Sequence, residues 1–303
     1  MEFYQLEAFV AVAALRSFSR AAEHLYLSQP TVSSHVKTLE KELNTLLFDR
    51  GKNELMLTQA GETLYRYARN MLEMRAAVLA ELSVEKVKDE LLMIAASSVL
   101  CQYLLPEAIA LFQEQYSSVN IRLCQENSRT VCEEVFRYNY PLGVVGEKVT
   151  IPQLKYEPLV EDELVLAIPQ LPAYADLLAK EELTLQDLTS YKLLLREAGS
   201  GTRSLFEQEL QRLGFSIKSF QLQIFDNQET IKQAVRSGLG ITIISRTVVE
   251  DYLQFNLLAV RSLQELQLKR KFYLVTHAKR IQTPGAKAFI AFLRTHFSTG
   301  GQL

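Results

Sequence analysis

Over the first ninety residues the apolar positions recur at helical spacing; beyond them they fall into short blocks separated by polar turns. Phe3, Leu6, Phe9, Val10 and Ala13 share one face of an opening helix. The stretch that begins at Ser17 reads as two short helices separated by a tight turn. Val32, Val36, Leu39 and Leu43 mark the second, whose other side carries Thr31, Ser34, Lys37 and Lys41. Ser28 is placed to cap it, and Pro30 is tolerated in its first turn, where no intrahelical donor is needed. Leu46 to Leu57 reads as a hairpin with Arg50-Gly51-Lys52-Asn53 at its tip, where Gly and Asn supply turn geometry. Residues 58 to about 88 form one long helix. Along it Leu57, Ala60, Leu64, Tyr67, Met71, Met74 and Val78 alternate by three and four, a heptad seam that Leu82 continues less regularly. A single stripe on so long a helix finds too little of its own chain to cover it, which points to dimerisation; packing on its own domain is the alternative.

From residue 90 strands and helices alternate. Strands are expected at Leu91–Ala96, Val119–Cys124, Leu142–Val145, Leu164–Ile168, Leu193–Arg196, Leu222–Phe225, Gly240–Ile244 and Lys271–Thr276. Helices are expected at Tyr103–Gln115, Thr130–Arg137, Thr202–Leu213, Gln228–Ser237 and Pro284–His296. This is an α/β pattern of βαβ units with mainly parallel strands. The fold class is therefore mixed: an all-α winged helix-turn-helix over 1–58, a dimerisation helix over 59–88, and an α/β domain over 89–303. That last domain divides into a subdomain of about 89–161 with 268–303 and another of about 162–267, with crossovers near Val160–Glu163 and Leu266–Lys269.

Two sets of residues carry candidate chemistry. The first is Gln29, Pro30, Thr31, Ser33, Ser34 and Lys37 on the second helix of the turn motif. Short polar side chains there let a backbone approach base edges and phosphates in a DNA major groove. A plain three-helix bundle shows the same apolar spacing but does not predict small polar residues where longer ones have better helix propensity. Ser33 also reads as a buried or capping residue, and Lys37 as a phosphate contact. Arg50 and Lys52 are placed to touch the phosphate backbone.

The motif continues over Ala21-Ala22, Leu25, Ser28-Gln29-Pro30-Thr31-Val32-Ser33, Leu39-Glu40, Leu43, Leu47-Phe48-Asp49-Arg50 and Leu57-Thr58-Gln59-Ala60-Gly61. With these residues at this spacing the chain resembles the LysR-type transcriptional regulators of bacteria, over essentially its whole length. The resemblance implies a winged helix-turn-helix and a periplasmic-binding-protein-like effector domain. It also implies dimers that pair into tetramers, and a regulator that works with RNA polymerase, most often activating transcription and repressing its own gene. Asn44 stands where the family favours glycine, and Asn tolerates the left-handed capping conformation. Asn53, Glu54 and Met56 stand where basic residues are common, which weakens the expected wing contacts.

The second set lies where small polar residues follow strands, since ligands of open α/β sheets bind at the carboxyl ends of strands and helix N-termini hold anions. Ser97 and Ser98 follow the first strand of the α/β domain, Asn127 the second. Ser200, Gly201, Thr202 and Arg203 follow the strand ending at Arg196, and Asn227 and Gln228 precede a helix. Hydroxyls and a guanidinium in that pattern suit a small anionic effector. Ser97 and Asn227 read equally as ordinary helix caps. The Arg-Glu-Ala-Gly-Ser-Gly-Thr-Arg segment resembles those of family members controlling sulfur or carbon assimilation.

Charge adds a tension. The formal net charge is −2, whereas nucleic-acid binders usually carry a basic footprint. Clustering of cations on the DNA side and binding of several copies together would reconcile the two. No apolar run reaches membrane-spanning length and no leader pattern is seen, so a cytoplasmic protein without a membrane partner is expected. Cys101, Cys124 and Cys132 cannot all pair within one chain and lack metal-ligand spacing. No nucleophile elbow, phosphate loop, zinc spacing or dinucleotide fingerprint appears, so neither an enzyme nor a bound cofactor or metal is expected. A solute-binding protein is the remaining alternative, and the first 88 residues argue against it.

Overall fold

The computed structural model describes residues 1–49, 55–82 and 90–298. Arg50 and Lys52 at the hairpin tip, and residues 83–88 of the expected long helix, lie outside them. The chain falls into two units, Met1–Lys88 with Lys279–Lys287, and Asp89–Ala278 with Ala288–Leu303.

The first unit opens with α1 (Phe3–Leu15), α2 (Phe18–His24) and α3 (Gln29–Glu42), followed by strands β1 (Phe48–Asp49) and β2 (Met56–Leu57) and helix α4 (Gln59–Leu82). Its core is built from Leu6, Phe9, Val12, Ala21, Val32, Val36, Leu39, Leu47, Phe48, Tyr65 and Ala68. Phe3 is 45% exposed, contrary to its place in the expected apolar face, because it sits where α1 begins; it packs 4.9 Å beneath the Arg75 guanidinium. Leu43 is also exposed, as the C-cap of α3 and not a member of its buried face. Asn44 adopts φ +49°, the left-handed conformation expected of it.

Glu40 fixes the strand pair to α3, its Oε1 accepting from the backbone N–H of Leu47 at 2.8 Å and of Phe48 at 3.4 Å. Helix α4 presents two stripes. Gly61, Tyr65 and Ala68 are buried against the unit's own core, while Tyr67, Met71, Met74, Val78 and Leu82 are exposed. One face of the long helix thus packs on its own domain, and the other is left uncovered.

The second unit contains β3 (Glu90–Ala96), a π-helical turn (Leu100–Leu104), α5 (Leu105–Gln115), β4 (Val119–Gln125), α6 (Ser128–Phe136) and β5 (Leu142–Val145). After β6 (Leu154–Pro169) come α7 (Ala175–Leu178), α8 (Leu185–Leu188), β7 (Lys192–Arg196), α9 (Gly201–Arg212) and β8 (Gln221–Phe225). The remaining elements are α10 (Gln228–Arg236), β9 (Ile241–Ser245), α11 (Arg246–Gln254), β10 (Leu258–Arg261), β11 (Lys269–His277) and, from Ala288 on, α12 (Pro284–Ser298). The strands follow the order β4-β3-β5-β11-β6-β9-β7-β8, with β10 also on β6.

The expectation of mainly parallel strands needs correction. Within each subdomain the pairs are parallel, β3 with β4 and β5, and β7 with β8 and β9. The crossing strands β6 and β11 pair antiparallel with each other and with every other neighbour. Expecting only Leu164–Ile168 captured the second half of β6, which is one continuous strand of 16 residues. Its first part pairs with β11 from Leu154 to Glu163, and its second with β9 from Leu164. The return crossing is pinned where Leu164 N–H donates to Leu268 O at 2.8 Å. One subdomain packs around Val131, Cys132, Val135, Val145 and Val275, the other around Leu166, Leu193, Leu195, Phe206 and Ile243.

Candidate functional site

Two places gather the candidate residues. The first is the outer face of α3. Ser28 caps the helix, its Oγ accepting from the Thr31 N–H at 3.3 Å, and Pro30 falls in the first turn. Because Val32, Val36 and Leu39 are fully buried, the residues between them are forced outward. Gln29, Pro30, Ser33, Ser34, Lys37, Thr38 and Lys41 line one shallow surface depression. Thr31 is not among them: its hydroxyl lies 2.7 Å from Ser28 Oγ, at the cap. His35 points to the core side, its ring 4.7 Å from that of Tyr4. Tyr26, in the turn before α3, is 96% exposed with φ +53°, a second exposed group beside this face that spacing did not single out.

The second place is a cavity between the subdomains. It is lined by Ser97, Ser98, Val99, Asn127, Ser128, Gly146, Arg196, Ser200, Gly201, Thr202 and Arg270. Six of the expected residues, Ser97, Ser98, Asn127, Ser200, Gly201 and Thr202, therefore meet around one space. They meet because β3, β4, β5 and β7 all end there, each followed by a turn. Asn127 also caps α6, its Oδ1 accepting from Thr130 N–H at 2.9 Å. Ser200 stands at the start of α9, is 6% exposed and makes no capping bond with its side chain. At Gly201 the subdomains meet at van der Waals distance, a Cβ position there lying 3.4 Å from Glu147 Cβ and 3.6 Å from the Gly146 carbonyl carbon.

The remaining expectations for this set are corrected by the structure. Arg203 does not line the cavity; its Nε donates to Glu207 Oε1 at 2.8 Å and its Nη1 to Arg196 O at 3.2 Å. Successive helical residues are turned by about 100°, so with Thr202 facing inward Arg203 cannot. Asn227 spends its Oδ1 on the N–H groups of Glu229 at 2.7 Å and Thr230 at 3.2 Å, the capping role. Gln228 is 3% exposed and neither it nor Asn227 lines the cavity.

The cationic groups are instead Arg196 and Arg270. Arg196 is held side-on by Glu197, with Nε and Nη2 at 2.7 and 2.8 Å from its two oxygens, and reaches across to Ser98 Oγ with Nη1 at 3.0 Å. Arg270 donates from Nε to Asp162 Oδ2 at 2.8 Å and from Nη1 to Thr202 Oγ1 at 3.2 Å. The Arg196 role was foreshadowed by its position just before the glycine-rich turn. Gly146 and Ser128 could have been found by the same carboxyl-end rule.

A second bridge joins the subdomains at α10. Tyr103, on the π-helical turn, donates to Glu229 Oε2 at 2.7 Å, and the buried Lys232 ammonium lies 3.3 Å from the Tyr103 hydroxyl and 3.1 Å from Asp251 Oδ2. Burial alone would lower the lysine's pKa, but its bonds to Asp251 and Tyr103 outweigh that and raise it. The Tyr103 phenol is pushed up to about 12, by burial first and then by its bond to Glu229.

Known proteins align with both places. Residues 3–62 match the family profile described as bacterial regulatory helix-turn-helix protein, lysR family, and residues 86–298 match LysR substrate binding domain. The chain is 32% identical over 301 residues to HTH-type transcriptional regulator CysL of Bacillus subtilis, covering 99% of each chain. It is 31% identical to a probable RuBisCO transcriptional regulator of Cyanophora paradoxa, covering 97% of this chain and 91% of that one. Among solved structures, a full-length OxyR variant from Pseudomonas aeruginosa superposes with TM-score 0.79 at 22% identity, over 99% of this chain and 96% of that one. LysG from Corynebacterium glutamicum with bound effector Arg gives 0.71 at 18% identity, over 99% of each chain. CbnR complexed with its target DNA gives 0.61 at 20% identity, over 97% of this chain and 99% of that one. The structural likenesses show the fold.

Proposed function

Because the chain belongs to the LysR family of transcriptional regulators, with a DNA-binding helix-turn-helix and an effector-binding domain, we propose that it reads operator DNA with the outer face of α3 and answers to a small anion bound between its subdomains. Gln29, Ser33, Ser34 and Lys37 reach base edges or phosphates, Pro30 lets the helix start close to the backbone, Thr31 holds the cap, and Arg50 and Lys52 touch the flanking phosphates. A net charge of −2 makes attraction per monomer modest. Binding therefore relies on at least two heads, joined through the exposed Tyr67, Met71, Met74 and Val78 stripe of α4, with dimers pairing further into tetramers.

One observation carries the effector reading: two guanidiniums, Arg196 and Arg270, and five hydroxyl residues converge on one cavity. The cavity holds about 20 Å³, roughly the room one water needs, so a metabolite binds as the subdomains part and re-close around it. Effector binding shifts the population of closed domains, and the spacing of the paired heads follows. LysG with bound arginine and CbnR with target DNA support, by likeness of fold, a small-molecule effector and a DNA partner. RNA polymerase is the downstream partner, and the work is done in the cytoplasm, where the DNA is. No catalysis, cofactor or metal is assigned to the protein; the family acts by binding.

The test is a gel-shift titration on the DNA upstream of its own gene, at two salt concentrations, with and without a panel of small anions. A specific shift that weakens with salt and responds to one anion is expected. A protein that binds an anion but no DNA would favour the solute-binding reading.

A further inference from the structure

We infer that Arg270, held in place by Asp162 across the two crossing strands, is the residue that grips the effector's oxyanion group, and that Asp162 sets how much negative charge the site accepts. This rests on the cavity being the effector site. Arg270 and Asp162 are direct register partners on β11 and β6, so the pair sits on the strands that connect the subdomains, not on either lobe alone. Both side chains are buried, 8% and 1% exposed. Asp162 is shared: Oδ1 accepts from Ser245 Oγ at 2.6 Å and Oδ2 from Arg270 Nε at 2.8 Å. The guanidinium lies 4.9 Å over the Phe272 ring, which fixes its plane.

A guanidinium has five N–H donors. Nε is used by Asp162 and one proton of Nη1 by Thr202. Nη2 lies 2.7 Å from Asp162 Oδ2 yet makes no hydrogen bond, because its N–H directions miss that oxygen. That contact is an ion pair without an aligned hydrogen bond, so a well-placed ligand oxygen would add a bond that Asp162 does not supply. Nη1 lies 3.6 Å from where a Cβ would stand at both Gly146 and Gly201. Nη1 is thus flanked by two side-chain-free residues on the cavity wall.

The ligand class follows from the lining. Among the described residues that form it, Val99 is the one apolar residue larger than glycine, so the enclosed part of the effector is polar. The acceptors it must offer to hydroxyls and N–H groups are those of a carboxylate, sulfate or phosphate group. Charge is the second constraint. Glu197 offsets Arg196 and Asp162 offsets Arg270, so the cavity is formally neutral and does not reward a second negative charge. Removing the Asp162 charge does.

The test uses the full-length protein and measures affinity for sulfate, inorganic phosphate, acetate and glycerol 3-phosphate at constant ionic strength, with chloride as reference. Arg270→Gln is expected to weaken the preferred anion by about tenfold or more, the worth of a charge-assisted hydrogen bond, and Arg270→Lys to lose less. Asp162→Asn is expected to raise the sulfate-to-acetate affinity ratio by about tenfold, a readout that loosened packing alone would not move. Ser245→Ala, which keeps the charge, is expected to weaken all four anions alike and to leave the ratio unchanged. It serves if Asp162→Asn does not fold by circular dichroism. Preference for glycerol 3-phosphate over inorganic phosphate would identify a metabolite's head group as the source, and the reverse a free ion. A folded Arg270→Gln protein with unchanged anion affinity, or an unchanged ratio in folded Asp162→Asn, overturns the inference. Wild-type protein that binds its DNA but none of the four anions overturns it too, leaving the DNA-binding reading intact; loss of both would remove the functional reading itself.

Discussion

Gly61 on α4 lies directly against the backbone of Leu47: a Cβ at Gly61 would stand 2.1 Å from the Leu47 carbonyl oxygen. Backbone cannot yield as a side-chain tip can. Gly61→Ala is therefore expected to destabilise the N-terminal unit by about 3 kcal/mol, despite improving helix propensity. A thermal melt of the variant beside wild type checks this, and an unchanged midpoint would show that α4 shifts freely.

Ser34 is exposed in the middle of the α3 depression. Ser34→Glu is expected to abolish the operator shift while leaving oligomeric state and melting unchanged, because it sets a carboxylate against phosphate. Lys37→Ala is expected to weaken binding across sequences and lower the salt slope by about one. Retained affinity in the glutamate variant would move the reading face elsewhere.

Met71 and Val78, 37% and 49% exposed, belong to the stripe of α4 that its own core leaves uncovered. If α4 pairs as proposed, Met71→Glu with Val78→Glu is expected to yield monomer in sedimentation where wild type is dimeric, with Ala68 and Tyr65 still buried and the fold retained. A variant that remains dimeric would assign assembly to another surface.

The clamp between Glu73 and Arg280 lies within the first unit, with Arg280 Nε donating to Glu73 Oε2 at 2.8 Å and the two groups 20% and 3% exposed. Glu73→Gln leaves a buried guanidinium facing a neutral amide, which is expected to cost about 2 kcal/mol. Hydrogen exchange over residues 279–287 should accelerate; unchanged protection there would mean the segment is held by other bonds.

Tyr103 supplies a pH dependence. Its phenol is raised in the folded state to about 12, against about 10 in an unfolded chain. The hydroxyl bond to Glu229 is thus fully stabilising below pH of about 10 and is lost as pH rises through about 12. Tyr103→Phe is expected to cost about 1–2 kcal/mol at neutral pH, with the difference from wild type narrowing over that alkaline window. With 13 tyrosines and no tryptophan in the chain, phenolate absorbance reports the titration directly, and Tyr103→Phe should lack one late-ionising group. Parallel stability curves up to pH of about 12 would count against the bridge.

Local chemistry made much of this legible. Ser28, Pro30 and Asn44 act through their own backbone, and each is found in the cap, first turn or left-handed conformation its side chain favours. Ser97, Asn127, Ser200 and Thr202 were readable because the ends of parallel strands are fixed by the order of the elements. Arg270 was not, because it is placed by pairing with Asp162, 108 residues away in sequence, and no local pattern encodes that register. Arg203 misled for the opposite reason. Its charge was visible in sequence, but direction on a helix is settled by which neighbour is buried, and Thr202 took the inward position. The antiparallel pairing of the crossings was hidden likewise, since only the apolar second half of the continuous 16-residue β6 reads as a strand in sequence.

Strands β6 and β11 stay hydrogen-bonded from Leu154↔His277 to Glu163↔Lys269, with one irregularity between Phe272 and Tyr273. A ladder of that length resists slippage, since moving by one residue would turn every buried side chain of the ribbon outward. The lobes can therefore twist and flex about this ribbon like plates on a leaf spring, but they cannot shear along it. Its one break in register falls beside Phe272, the ring on which the Arg270 guanidinium rests.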